Sequence, residues 1–206
     1  MQYTLIHVTK SGVSAIYPFL NKYYDNHFVD GNNHKTMCTN ENNPIIIVRD
    51  VHSRFLSMFK YWKNGSHVFK RSKEFTNNNK NVTILDYIYF LKNNDTTKLN
   101  ASFTWDQHHA NTVDWISDMS FNNLIVITYV PNLNNKIHKL LQCLNIPIQP
   151  NITIPIFNNS YISKTDLNIY IKNKIYIDQF VNEYFNKDVE FIHMLNTQPE
   201  LFKLII

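Results

Sequence analysis

Two rhythms of apolar and polar residues alternate along this chain. Short apolar runs at residues 3–8, 44–48 and 124–129 carry no polar interruption long enough to mark a solvated face. Such runs predict strands buried on both sides, as in a parallel sheet. Between them the apolar residues recur at helical spacing. Ile16, Phe19, Leu20 and Tyr23 predict a helix over 14–24, and Phe55, Met58, Phe59 and Trp62 predict another over 53–63. Further helices are expected over 84–92, where Thr83 and Asp86 form a capping box, over 106–116 and over 133–144. A long helical stretch, 165–195, is expected to break near Lys187, with Val181, Tyr184 and Phe185 on one stripe. Residues 30–43 and 64–82 read as polar loops, and 145–163, with Pro147, Pro150 and Pro155, as irregular chain. Strands alternating with helices predict an α/β fold: one central, mostly parallel sheet flanked by helices, in a single domain over 1–206.

Composition narrows the function more than the fold. A formal charge of +4 over 206 residues suits an anionic ligand. No dense Lys/Arg block accompanies it, so nucleic acid is not an expected partner. Asn, Lys and Ile are abundant while Arg occurs only at 49, 54 and 71, the pattern of an AT-rich microbial or viral genome. Each arginine therefore stands where lysine was the easier choice, and its planar fork is not interchangeable with an ammonium. Cys38 and Cys143 are isolated, which predicts free thiols and no metal cluster. No signal-peptide pattern precedes Tyr3 and no apolar run reaches about 18 residues, so the expectation is a cytoplasmic or otherwise soluble protein without a membrane span.

The chemistry concentrates in two stretches. The first, "HVTKSGVSAI", joins the first strand to the first helix and uses one of only three glycines. A strand-to-helix loop presents unpaired backbone N–H groups at the positive end of the helix dipole. Lys10 adds a charge, Ser11 and Ser14 add hydroxyls, and Gly12 lets the backbone come close to an anion. The Walker pattern is absent, because the lysine precedes the glycine, which disfavours a kinase-like ATP or GTP enzyme. The second stretch, "VRDVHSRFLSMFKYW", puts Arg49 directly after the second buried run, on the edge of the sheet where α/β proteins bind ligands. On the following helix Arg54, Ser57 and Tyr61 share a face apart from the apolar stripe. Arg54 either lines the site or ties the helix down by a salt bridge.

Together these stretches resemble the sulfotransferases. The first is similar to the phosphosulfate loop H-I-P-K-T-G-G-T-S of carbohydrate sulfotransferases, the second to the motif R-D-P-x-x-R-x-x-S-x-Y. Thr9, Val13 and Val51 depart from these patterns. "FNNSYIS" and "VNEYFNKDVEFIHML" resemble the family's later segments, so the likeness covers most of the chain. It implies a P-loop-like three-layer fold and the donor 3′-phosphoadenosine 5′-phosphosulfate, PAPS. By the same resemblance Lys10, Ser11, Gly12, Val13 and Ser14 would hold the 5′-phosphosulfate, and Arg49 and Ser57 the 3′-phosphate. Lys10 would stabilise the leaving phosphate.

Transfer to a hydroxyl also needs a base. His34 comes first, because sulfotransferases of this kind often carry a histidine in the corresponding stretch. His108 and His109, which Asp106 could orient, come second, and Glu41 is an outsider. His7 and His52 read as structural and solvated residues. The acceptor implied is a glycan hydroxyl, with a tyrosine or a small molecule as alternatives. A protein of this fold that binds PAP without transferring sulfate also stays open.

Overall fold

The computed structural model describes residues 1–8, 10–31, 43–64, 81–93, 109–116, 120–129, 133–150, 152 and 162–206. Their centre is a five-stranded sheet: β1 (Tyr3–Ile6), β2 (Phe28–Asp30), β3 (Pro44–Val48), β4 (Ile125–Thr128) and β5 (Leu204–Ile205), in the order β2-β1-β3-β4-β5. Every pairing is parallel. The sheet is thus wholly rather than mostly parallel, with helices on both faces. The three predicted strands are present: β3 spans the whole of its apolar run, and β1 and β4 are each two residues shorter than theirs. The edge strands β2 and β5 were not anticipated. With three and two residues they are too short to show a period.

The seven helices among the described residues are α1 (Val13–Tyr24), α2 (Val51–Lys63), α3 (Ile84–Asn93), α4 (Asn134–Cys143), α5 (Lys164–Lys172), α6 (Lys174–Tyr184) and α7 (Asn186–Thr197). The long C-terminal stretch breaks at Phe185, two residues from the expected position near Lys187, and also at Asn173, which was not expected. Asn173 turns its side-chain amide back onto the Ile169 carbonyl at 2.8 Å, and buried Phe185 anchors the second corner. Of the helix expected over 106–116, the described part holds only a 3-10 turn, Thr112–Trp115.

All five residues of β3 are buried, and their alternation divides the core. Ile45 and Ile47 face α1 and α4, meeting Ile16, Leu20, Ile137 and Leu141. Ile46 and Val48 face the other way, toward Trp115, Phe191 and Leu195. Outside that second face, α2, α3 and α6 share a cluster built on Phe55, Trp62, Tyr87 and Phe180. The apolar stripe read from 53–63 is therefore the face of α2 that enters this cluster.

The strand order positions the site. The chain leaves β1 to form β2 on one side, then crosses over to place β3 on the other. Connections from β1 and β3 diverge there, opening a crevice at the carboxyl edge of the sheet. Residues 10–12 follow β1 and Arg49 follows β3, so both predicted motifs reach that crevice.

Candidate active site

The loop after β1 is folded on itself. The Ser11 hydroxyl donates to the Val8 carbonyl at 2.7 Å, and Ser11 is 1% exposed. Its proton is therefore engaged in shaping the turn, although the sequence suggested a donor for the ligand. Lys10 has φ +59° and Gly12 φ +104°, two left-handed residues that turn the chain sharply into α1. Gly12 is the N-cap and makes no side-chain cap bond, and the first turn holds no acidic residue. Among the described residues no side chain caps the leading amides of this 12-residue helix, the arrangement in which a helix start can accept an anion. Val13 is 2% exposed and packs in the core, so this departure from the motif puts no side chain into the cradle.

Arg49 closes the site from β3. Its Nη1 lies 3.5 Å from the Lys10 carbonyl, and its guanidinium carbon lies 4.6 Å from the ring centre of Tyr129, the residue after β4. Arg49 Nε is buried and has no hydrogen-bond partner among the described residues. A buried N–H in that state costs about 1–3 kcal/mol, so it marks a place for an acceptor. Tyr129 also stands against the loop. A Cβ added to Gly12 would come within 3.0 Å of its ring. One aromatic side chain therefore packs on both the loop glycine and the arginine.

The electrostatics are those of an incomplete ion pair. Burial, and then the nearby Arg49 charge, push the Lys10 ammonium down to about 8. Burial also lowers Arg49, opposed by Tyr129 and Asp50. Lys60, on α2, is lowered by burial and then by Arg49. Neither Lys10 nor Arg49 forms an ion pair with a carboxylate among the described residues. Asp50 is engaged as N-cap of α2, accepting from the Ser53 amide at 2.8 Å. Arg49 thus disfavours the charge on both lysines, a repulsion that a bound anion would relieve.

Other predicted residues fall elsewhere. Ser57 is half-buried on α2, on the same helical face as Ser53 and Lys60. Arg54 does not line the crevice. It is 1% exposed, bonded to Asp188 and, at 2.6 Å, to the Ala110 carbonyl. His109 is fully buried, hydrogen-bonded to the Tyr87 hydroxyl and edge-on to Trp62 at 4.7 Å. It is a core histidine with no surface open to an acceptor. His7 lies 3.3 Å from Asp30, and His52 pairs with Asp178 at 3.2 Å instead of standing free in solvent. His34, His108, Asp106, Glu41, Cys38, Thr9 and the segment 157–161 lie outside the described residues. Ser14 is the second residue of α1, after Val13.

Two site residues escaped the sequence reading, Tyr129 and Lys60, and so did the contact of Tyr61 with Lys10, whose ammonium lies 3.3 Å from the ring centre. Tyr129 carried a usable signal, since it follows a buried strand as directly as Arg49 does.

Comparison with protein families decides the class. The profile described as the sulfotransferase family matches residues 6–198. The chain belongs to the sulfotransferase family. That span includes the Lys10 loop, Arg49 and the Arg54–Asp188 pair of this sulfotransferase. Neither the curated proteins nor the solved structures gave a significant match. Transfer of a sulfuryl group to a hydroxyl acceptor is the chemistry of the family. Among the described residues of this sulfotransferase, no helix is long and apolar enough to cross a membrane.

Proposed function

We propose that this sulfotransferase moves a sulfuryl group from PAPS to a carbohydrate hydroxyl and releases PAP. The observation that carries the reading is the approach of Lys10 and Arg49 across the β1–β3 crevice, two cations without a carboxylate ion-pair partner among the described residues. The donor supplies a sulfuryl group on a phosphate leaving group. The uncapped start of α1, with Lys10, suits the phosphosulfate end, and Arg49 with Ser57 suits the 3′-phosphate. Lys10 stands ready to neutralise the charge that develops on the departing phosphate. As the bond from acceptor oxygen to sulfur forms and the bond from sulfur to phosphate breaks, the hydroxyl proton goes to a base. His34 is the residue we assign to that role. The carbohydrate acceptor rests on the likeness of the Lys10 loop to carbohydrate sulfotransferases.

The test is a thermal-shift titration with PAP, ATP and ADP, followed by transfer from labelled PAPS to glycans, tyrosyl peptides and small phenols. At a hundredfold excess over its Kd, PAP should stabilise the protein by about 2.7 kcal/mol, and ATP should not. Absence of any PAP shift overturns the donor assignment. A PAP shift without transfer to any acceptor would favour a binding protein of the same fold. Transfer confined to tyrosyl peptides or phenols would replace the carbohydrate.

A further inference from the structure

Lys10 adopts a left-handed backbone, φ +59°, which a residue with a side chain keeps only where its surroundings hold it. From that position its ammonium reaches α2 and lies 3.3 Å from the ring centre of Tyr61. Cation–π attraction acts within about 6 Å of a ring centre and strengthens as water is excluded. Both residues are partly buried. Among the described residues, Arg49 at the end of β3 and Tyr61 on α2 face Lys10, while Lys60 on α2 and Tyr129 after β4 stand beside Arg49. Arg49 repels the ammonium, and no carboxylate pairs with it among the described residues. The Tyr61 ring is an attractive partner that opposes this repulsion.

We propose that Tyr61 is a positioning residue for sulfuryl transfer: its ring holds the Lys10 ammonium at the mouth of the anion loop, charged and aimed before the donor arrives. This rests on the role given to Lys10 above. It also assigns a purpose to the third turn of α2 that the motif positions Arg49 and Ser57 do not supply.

Two substitutions separate the ring face from the bulk. Tyr61→Phe keeps both, whereas Tyr61→Leu keeps an apolar side chain and removes the π face. The titration of Lys10 is read in the protein alone, by pH-dependent competitive acetylation and peptide mass spectrometry. In Tyr61→Leu, Lys10 should titrate about half a pH unit lower, the equivalent of one ordinary cation–π contact. The alkaline limb of the kcat profile should move down with it, and kcat on that limb, above about pH 8, should fall about 3-fold, the same half unit. PAP affinity should change less than kcat, and Tyr61→Phe, which keeps the π face, should leave the Lys10 titration at the wild-type value. If Tyr61→Leu does not melt cooperatively, Tyr61→Met is the substitute. Unchanged Lys10 titration and kcat in the folded variant overturn the proposal. If Lys10 shifts as expected but the wild type neither binds PAP nor turns over, the pairing survives, and its role in sulfuryl transfer falls with the donor assignment.

Discussion

Arg54 and Asp188 are 134 residues apart in sequence and 2.6 Å apart in the fold, with both side chains buried. Asp188 also accepts from the Thr112 amide and hydroxyl, and Arg54 donates to the Ala110 carbonyl. The pair thus joins α2, α7 and the 3-10 turn on the side of α2 that carries its apolar stripe. Removing one partner strands the other charge in the interior. Arg54→Met or Asp188→Leu should each cost about 3–5 kcal/mol in urea unfolding. The double variant should lose less than the sum of the two. Additive losses would mean that the pair is not a unit.

Arg49 differs from Arg54 in having its Nε unpaired among the described residues. Arg49→Ala should weaken PAP binding by about 1.5–3 kcal/mol, the value of a charged hydrogen bond, while the melting temperature of the free protein stays near that of the wild type. Arg49→Lys should not restore affinity, since an ammonium cannot reproduce the fork. Calorimetric titration with PAP measures both, and unchanged affinity in Arg49→Ala would remove the 3′-phosphate from this residue.

Lys10 gives the site a pH dependence of definite sign. In the folded protein it loses its proton near 8, whereas an unfolded lysine keeps it to about 10.4. Between those values the unfolded chain binds more protons, so the free protein should gain stability as pH rises from about 8. A bound anion favours the ammonium. PAP binding near pH 8.5 should therefore take up protons, and affinity should fall as pH rises above 8. Calorimetry in two buffers of different ionisation enthalpy measures the uptake, and proton release would contradict the assignment.

Gly12 is held at φ +104° with Tyr129 against its α-carbon. Gly12→Ala should cost about 1–3 kcal/mol through the left-handed backbone alone, and more through the displaced ring. Since Tyr129 also stacks on Arg49, PAP affinity should fall with stability. A variant with wild-type stability and affinity would show that the loop relaxes freely.

The catalytic roles separate from the binding roles by kinetics. Lys10→Ala should abolish transfer. His34→Ala should lower turnover by roughly 10²–10⁴ with PAP binding retained. Near-normal turnover in His34→Ala would move the base to another residue, and His108→Ala is then the next variant to assay.

The sheet and most helices were legible in the sequence because their signals are local. A β-branched run such as 44–48, or a stripe such as Phe55, Met58, Phe59 and Trp62, reports its own period. The anion loop was legible for the same reason, since Lys10 to Gly12 spell a strand-to-helix turn in consecutive residues. Edge strands β2 and β5 were not, because two or three residues carry no period and pair only through their neighbours. Helix α2 starts at Val51, two residues before its apolar stripe predicts, because the Asp50 side chain caps it by accepting from the Ser53 amide.

The sequence by itself determined the fold class, the two motifs and the edge of the sheet on which they meet. Only the tertiary structure decided which cations face the crevice. Arg49 and Arg54 are five residues apart and chemically identical, yet one keeps a buried Nε without a partner among the described residues and the other is sealed in the core. The difference comes from Asp188 and Ala110, which reach Arg54 from distant parts of the chain. The partners of Lys10 and Gly12, Tyr61 and Tyr129, likewise arrive from other elements. Burial and charge compensation depend on what packs against a side chain, and no local pattern along the chain records that.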